Sequence, residues 1–394
     1  ALAGGRETAD ALTGLGDALR LLGRHGEAEA LHRRAVGLAP GLAEAHNNLA
    51  RVLEETGRTD AALAEYDRAV ALDPGLPTAR LNRALLHLGR GRTAEGWEGY
   101  AWRFEADRRH PRRRFTIPEW RGGDVSGRRV LVWREQGLGD ELMFGALYRA
   151  LAARCGHLVV ECDPRLRGLF ARALPGATVR PETDDPRDAD LHVPAGSLPR
   201  LLRGFPAEPP PAGYLAPLPE LALDWLERLA ALGPGLKVGF CWRSRTLTTE
   251  RRRAYSTLDQ WGPLFRLPGI DWVSLQYDGG EEELAAAAAR FGVRLHRWAD
   301  ADLTGDLETA AALTAGLDLV IAPATSVAEM AGALGVPAWR FGYRDWTWLG
   351  TGVRPWFPAQ SPVDAGAGGI DGAIARMAAR LDALRPHGNR KDLR

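Results

Sequence analysis

The spacing of apolar positions changes character partway along the chain. From residue 9 to about residue 100 apolar side chains recur every three to four positions, punctuated by Gly, Pro or charged pairs, which predicts successive amphipathic helices. From Arg129 onward short β-branched runs alternate with helical stretches, which predicts parallel sheets with helices on their faces. The expected strands of a first half are RVLVWRE (129–135), HLVVECD, TVRPE and DLHVPAG. Those of a second half are LKVGFCW (236–242), IDWVSLQYD, VRLHRW and LDLVIA (317–322). Helices are expected after the loop 136–139, over PRLRGLFARAL, over EEELAAAAARFG, from an Asp306 cap through Leu307–Gly316, and over Val327–Leu334. The Pro-rich stretch 205–219 reads as a hinge. The fold class is therefore α plus α/β. Helical repeats fill 1–110, a linker 111–128, an N-terminal Rossmann-like half 129–219 and a C-terminal Rossmann-like half 220–394.

The stretch Leu317–Pro337 organises the second half. Its opening run, with Asp318 near the start, reads as a buried strand that Pro323 ends. Thr325 and Ser326 are good cap residues, and Gly335 and Pro337 stop the helix. Backbone N–H groups at Ser326 and Val327 and the positive end of the helix dipole point at one spot suited to an anion. Glu329 lies one turn beyond Thr325 and can face the same pocket. Many α/β proteins contain such units without a ligand, so the neighbours decide. Ligands sit beyond the carboxyl ends of the strands in open α/β sheets. Here those ends are Glu135–Asp140, Arg243–Arg245, Gln276–Asp278 and Ala322–Ser326, where polar and glycine residues concentrate. Gln136, Gly137, Gly139, Gln276 and Tyr277 are cleft candidates by position.

Composition narrows the function classes. Lys+Arg 51 against Asp+Glu 50 leaves a net charge of +1, which gives no field for nucleic acid or an anionic membrane surface. The basic run 108–114 has no aromatic platform beside it and reads as linker. Cys155, Cys162 and Cys241 are too few for a disulfide framework or a zinc site and read as reduced core thiols. No long apolar run predicts a membrane span, and a soluble cytoplasmic protein is the expectation. Gly137-Leu-Gly139 follows a strand, but Leu142 stands where a third glycine would complete a dinucleotide fingerprint. Trp339, Trp346, Trp348 and Trp356 read as packing, and His192 and His296 as structural. No constellation has metal-ligand spacing.

The helical region is internally repetitive. With a shift of 34 residues, Ala28, Ala35 and Pro40 return as Ala62, Ala69 and Pro74, and His32 returns as Tyr66. This period, closed by proline, resembles the tetratricopeptide repeat. Its third unit is degenerate, with Gly96 for the usual alanine and Trp97, Tyr100 and Trp102 crowded nearby, as expected where a terminal repeat packs on something else. Such repeats either hold peptides on a concave face or serve as a cap or oligomerisation element.

Further on, EQGLGDELMF (135–144), the strand ending WRSR (242–245), LQYD (275–278) and DLVIAPATSVAEMAGALGVP (318–337) occur in that order. With the repeats, they resemble bacterial tetratricopeptide-repeat proteins carrying a heptosyltransferase-like glycosyltransferase domain of GT-B fold. The resemblance implies inverting, metal-independent transfer from a nucleotide sugar, with no cofactor beyond that co-substrate. The diphosphate would bind the C-terminal half through Arg243, Arg245, Thr325, Ser326, Val327 and Glu329, and the acceptor would enter from the N-terminal half. It makes Asp140, of the pair Gly139–Asp140, the general base, and a helix cap is the plain alternative. Ala324 and Glu329 depart from the family's loop, which has Asp and His there. Glu329 either receives a ribose or is a structural carboxylate. For Arg243 and Arg245 the alternative is a surface loop, and Arg251, Arg252 and Arg253 read as solvated. The repeats favour a protein acceptor, and a catalytically degenerate, scaffold-like or sugar-nucleotide-binding protein is the competing reading.

Overall fold

The computed structural model describes residues 8–107, 109–202, 213–245 and 252–384. They form two compact units, residues 1–113 with 345–350, and 114–344 with 351–394.

In the first unit helices α1 (Ala9–Leu21), α3 (Ala43–Glu55) and α5 (Pro77–Gly89) begin 34 residues apart, as do α2 (His25–Leu38), α4 (Thr59–Leu72) and α6 (Thr93–Gly99). Between the helices of each pair stands a glycine, Gly23, Gly57 or Gly91, with φ of 81°, 79° and 76°. This left-handed backbone is open to glycine at little steric cost and fixes the turn at the same register in each repeat. The repeated alanines Ala28, Ala35, Ala62 and Ala69 are fully buried, as close helix approach demands. The third repeat departs from the pattern as expected. Its second helix is short, and Trp97 and Tyr100 pack on Trp346 with ring centroids 5.9 and 5.2 Å away. The segment 345–350 thus belongs with the repeats, a correction to the expected C-terminal boundary.

The second unit holds two wholly parallel sheets. The first contains β1 (Arg129–Trp133), β2 (His157–Glu161), β3 (Thr178–Arg180) and β4 (Leu191–Pro194) in the order β3-β2-β1-β4. Helix α7 (Leu138–Gly145) follows β1, and α8 (Arg167–Ala173) follows β2. Helix α9 (Pro219–Ala230) leads to the second sheet of β5 (Leu236–Phe240), β6 (Ile270–Ser274), β7 (Leu295–His296), β8 (Leu319–Ala322), β9 (Ala338–Gly342) and β10 (Gln360–Asp364). Its order is β10-β9-β8-β5-β6-β7, the doubly wound arrangement in which the first three strands build outward one way from β5 and the last three the other way from β8. Helices α10 (Glu281–Phe291), α11 (Leu307–Ala315), α12 (Ser326–Leu334) and α13 (Gly369–Leu384) complete it.

The cores explain the continuous apolar runs. Phe240, Trp242, Trp261, Phe265, Trp272 and Trp339 fill one face of the second sheet, while Trp225, Cys241, Val273, Val320 and Ala331 fill the other. Gly239 is required between them, since a Cβ there would stand 2.5 Å from Leu317 Cδ1 and 2.8 Å from Leu275 Cδ1. Trp339, Trp348 and Trp356 are buried, in keeping with their reading as packing. His192 is also structural, accepting from Trp133 Nε1 at 3.2 Å. Among the described residues no helix is long and apolar enough to cross a membrane.

Two expectations about connections are corrected. The span 111–128 is not a free linker. Trp120 N donates to His192 O at 2.7 Å and His192 N to Pro118 O at 3.0 Å, so the chain runs alongside β4. Phe115 and Ile117 join the apolar cluster of Leu131 and Val159, and Trp120 and Val125 are buried. The expected hinge falls partly on 203–212, outside the described residues. Its remainder, from residue 213 on, is not slack, because the N–H groups of Tyr214 and Leu215 both donate to Ala333 O at 2.7 and 2.9 Å and the Tyr214 hydroxyl donates to Leu142 O.

Candidate functional site

The order in which strands are added reverses at the parallel pair β5 and β8, which opens a crevice beyond their carboxyl ends. The chain leaving β8 meets Pro323 and turns into α12 with Thr325 as N-cap, in extended backbone at φ −139° and ψ 166°. The cap side chain makes no hydrogen bond to the helix N–H groups. The Thr325 hydroxyl instead turns back toward Pro323 O at 3.4 Å. The first-turn N–H groups of a nine-residue helix therefore open into the crevice with its positive dipole end.

A cavity of about 220 Å³ lies there, bounded by residues from both halves of the unit. Leu138, Leu275, Leu303, Leu307, Val327 and Met330 form an apolar wall, and Arg165, Arg245, Tyr277, Thr304 and Ser326 supply polar groups. Among the described residues the lining holds two arginines and no carboxylate. Tyr277 donates its hydroxyl to Ser244 Oγ at 3.2 Å, and Thr304 Oγ1 donates to Tyr277 O at 2.6 Å, which fixes that wall. Burial pushes the Tyr277 phenol above its ordinary value, so it stays a neutral donor.

Of the expected residues, Arg245, Tyr277, Ser326 and Val327 line this cavity, and Thr325 is the buried cap beside it. Gly139 packs against the same helix start. A Cβ on it would lie 3.4 Å from Glu329 Cγ and 3.8 Å from Ser326 Cα, so the first turns of α7 and α12 meet in ordinary contact. Gly137 is the exposed N-cap of α7, Gln136 is half-buried before it, and neither lines the cavity. Asp140, half-buried, accepts from Gly137 N at 3.2 Å, the arrangement of a helix cap. Its neighbour Leu138 lines the cavity.

Three expectations are corrected. The strand expected to run to Trp242 ends at Phe240, so Arg243 and Arg245 stand on the loop beyond it. Arg243 is held by two carboxylates, Asp278 and Glu283, which leave it no net positive charge to offer a phosphate. Gln276 is buried and knits strand ends, donating to Arg243 O at 3.0 Å and Asp278 Oδ1 at 2.6 Å while its Oε1 accepts from Trp242 N at 3.3 Å. Glu329 turns away from the cavity to accept from Arg354 Nη1 at 2.5 Å, in a pair where both side chains are buried. Of the loop expected to be solvated, Arg251 lies outside the described residues.

Charged groups without a sequence motif of their own gather at the carboxyl ends of the first sheet. Arg134 Nε lies 2.7 Å from Glu141 Oε1, and Asp163 N donates to Glu141 Oε2 at 2.8 Å. Burial raises the Glu141 carboxyl to about 7 against the opposing pull of Arg134. Hydrogen bonds from Arg165 hold the Asp163 carboxyl below its ordinary value. The strand-end rule applied to β2 would have pointed to Asp163 and Arg165, but the buried partners of Glu141 have no sequence signal. Burial pushes the thiols of Cys162 and Cys241 up to about 12, which makes them inert core groups.

A tetratricopeptide repeat model matches residues 7–75, and the N-terminal region carries such repeats. Protein FlbA of Caulobacter vibrioides is 36% identical over 294 residues, covering 69% of this chain and 49% of FlbA, so the chain spans about half the length of that relative. Among solved structures, the glycosyl transferase family 9 protein of Veillonella parvula is similar over 67% of this chain and 99% of its own, at 10% identity and a TM-score of 0.47. MamA is similar over 26% of this chain and 60% of its own, at 24% identity and a TM-score of 0.24.

Proposed function

We propose that the α/β unit transfers a sugar from a nucleotide-sugar donor to an acceptor hydroxyl, with the repeats recruiting a protein acceptor. The observation that carries this reading is the cavity at the β5/β8 reversal, where an open helix start, Arg245 and a lining without carboxylates among the described residues meet an apolar wall. A nucleoside diphosphate has that profile, an anionic group joined to a flat, weakly polar base. In a GT-B-like arrangement the departing diphosphate is stabilised where its charge develops, by backbone N–H groups and cations fixed beforehand. Asp140, beside Leu138 at the rim, takes the acceptor proton as the hydroxyl attacks the anomeric carbon. The cytoplasm is the compartment this reading takes, in accord with three unpaired cysteines.

Support for a protein acceptor comes from a groove of about 480 Å³ in the repeats. Asn82 Nδ2 donates to Asn47 Oδ1 at 3.1 Å, and Asn47 Nδ2 to Asn48 Oδ1 at 3.0 Å, which forms a short amide ladder along its wall. Each amide retains donors and acceptors suited to an extended peptide backbone.

The test is nucleoside diphosphate release from a panel of nucleotide sugars by the purified chain, beside D140N. The amide oxygen of an asparagine can still accept from Gly137 N, so D140N keeps its fold and donor binding. It should lose turnover by about 100-fold or more, the usual worth of a positioned base. If no nucleotide sugar binds and no diphosphate is released at millimolar donor, the scaffold reading replaces this one.

A further inference from the structure

Resting on that reading of the cavity, we infer that Arg165, contributed by the first half, is the second cation of the donor diphosphate site. The turn Asp163-Pro164 ends β2, and Asp163 Oδ1 accepts from Arg165 N at 3.0 Å, which aims the side chain across to the second half. There Arg165 Nη1 donates to Thr304 O at 2.8 Å, while Nε and Nη2 donate to the two oxygens of Asp163, each at 2.8 Å. A guanidinium has five N–H donors, so these three bonds leave one hydrogen on each terminal nitrogen. Arg165 lines the cavity with Arg245 and Ser326, and its side chain is 37% exposed, so those hydrogens are open to a ligand.

Charge separates this arginine from Arg243, the cation that sequence position favours. Arg243 is matched by two carboxylates of its own. Arg165 is ion-paired with Asp163, which also lies 3.7 Å from Arg134 Nη1, and Glu141 and Asp302 act on it from further off, so what it brings to the cavity is its two remaining N–H donors rather than a bare charge. A departing diphosphate carries more than one negative charge. The helix start supplies the equivalent of roughly half a positive charge, and Arg245 one more, which leaves a deficit that a second arginine meets.

Because Arg165 comes from the first half, the site depends on contact between the halves. The helix that follows it, α8, is also tied to the second half, since Arg172 Nη2 donates to Glu308 at the start of α11. The diphosphate site is therefore complete only while the two halves are in contact. A donor that binds Arg165 in turn strengthens that contact, because ligand binding and the bound arrangement stabilise each other.

The experiment is calorimetric titration of the full chain with a panel of nucleoside diphosphates, comparing wild type, R165Q, R245Q and R172Q. R172Q breaks the neighbouring ion pair to Glu308 outside the cavity and serves as the control for contact alone. We expect R165Q and R245Q each to weaken the preferred diphosphate by about tenfold to a hundredfold, the usual range for a hydrogen bond to a charged group, and R172Q to bind as wild type does. Wild-type affinity in R165Q overturns the assignment, as does an equal loss in R172Q, which would reduce Arg165 to a contact between halves. If wild type binds no nucleoside diphosphate at millimolar concentration, the sugar-transfer reading fails and this inference with it. Failure of the inference alone is distinct, because wild type then still binds.

Discussion

Glu329→Gln distinguishes a buried structural carboxylate from a ligand-facing one. The substitution keeps the side chain's shape and removes its charge. Arg354, 1% exposed, donates from Nη1 to Glu329 Oε2 at 2.5 Å and Gln360 Oε1 at 2.7 Å, with Nη2 3.5 Å from Met143 Sδ. Gln360 in turn donates to Ala328 O, which locks the pair onto the first turns of α12. In E329Q the guanidinium keeps neutral acceptors but loses its counter-charge in a site closed to water. Leaving one partner of a buried pair uncompensated costs about 3–5 kcal/mol. At roughly 2 °C per kcal/mol for a large domain, the melting temperature should fall by about 6–10 °C. Replacing both partners by methionine should recover most of that loss, because a well-packed apolar pair of similar volume is often neutral. Tryptophan fluorescence reads the transition locally, since Trp356 is fully buried and packs edge-on against Phe144 at 5.5 Å between ring centroids. The reasoning is refuted if E329Q melts with wild type, and a loss of nucleotide affinity beside that unchanged melt would put Glu329 in the cavity after all.

Two further predictions concern pH. The unfolded chain releases the Glu141 proton near 4.5, whereas the folded chain holds it to about 7. This group's contribution to stability is therefore present below pH 4.5 and lost as pH rises through about 7, by about 3 kcal/mol at most. E141Q should flatten the slope of urea-determined stability between those values, and an unchanged slope contradicts the assignment. His32 is buried against Gly16 with neither ring nitrogen hydrogen-bonded, and burial lowers its pKa below 6.5. The unfolded chain takes up a proton there that the folded chain refuses, so the repeats should lose stability as pH falls below 6.5. H32F should remove that loss in far-UV circular dichroism melts, and a slope retained in H32F would assign it to another group.

Periodicity made the architecture legible because burial repeats. The 34-residue return of Ala28 and Ala35 as Ala62 and Ala69 follows from two helices that must approach closely in every repeat, and the structure places all four in full burial. The buried runs of β5 and β8 could be read for the same reason, since a central parallel strand is apolar on both faces. Ser326 and Val327 could be placed at the cavity from sequence because a helix start leaves its N–H groups open whatever the side chains are. The errors lie where a side chain has a choice of partners. Arg243 looked like a phosphate ligand until Asp278 and Glu283 closed on it. Gln276 sits at a strand end, yet its amide serves the neighbouring backbone. The linker went wrong because its basic run hid the apolar pattern of Phe115 and Ile117, which pack on the face of the first sheet, and of the buried Trp120.

The departure of the α12 loop from the pattern it otherwise resembles reads differently once its partners are known. A carboxylate in the first turn of a helix occupies the end of the dipole that a phosphate would use, so Glu329 facing the cavity would compete with an anionic ligand. Arg354, 25 residues further along, removes that conflict by drawing Glu329 into a buried pair. Among the described residues the cavity lining is left with Arg165, Arg245 and the N-terminal side of α12, and without a carboxylate. Ala324 is exposed and its neighbour Thr325 is the cap, so the missing aspartate takes nothing from the backbone groups that face the cavity. Glu329 and Arg354 therefore act as one buried pair, which keeps the Glu329 carboxylate out of the cavity lining.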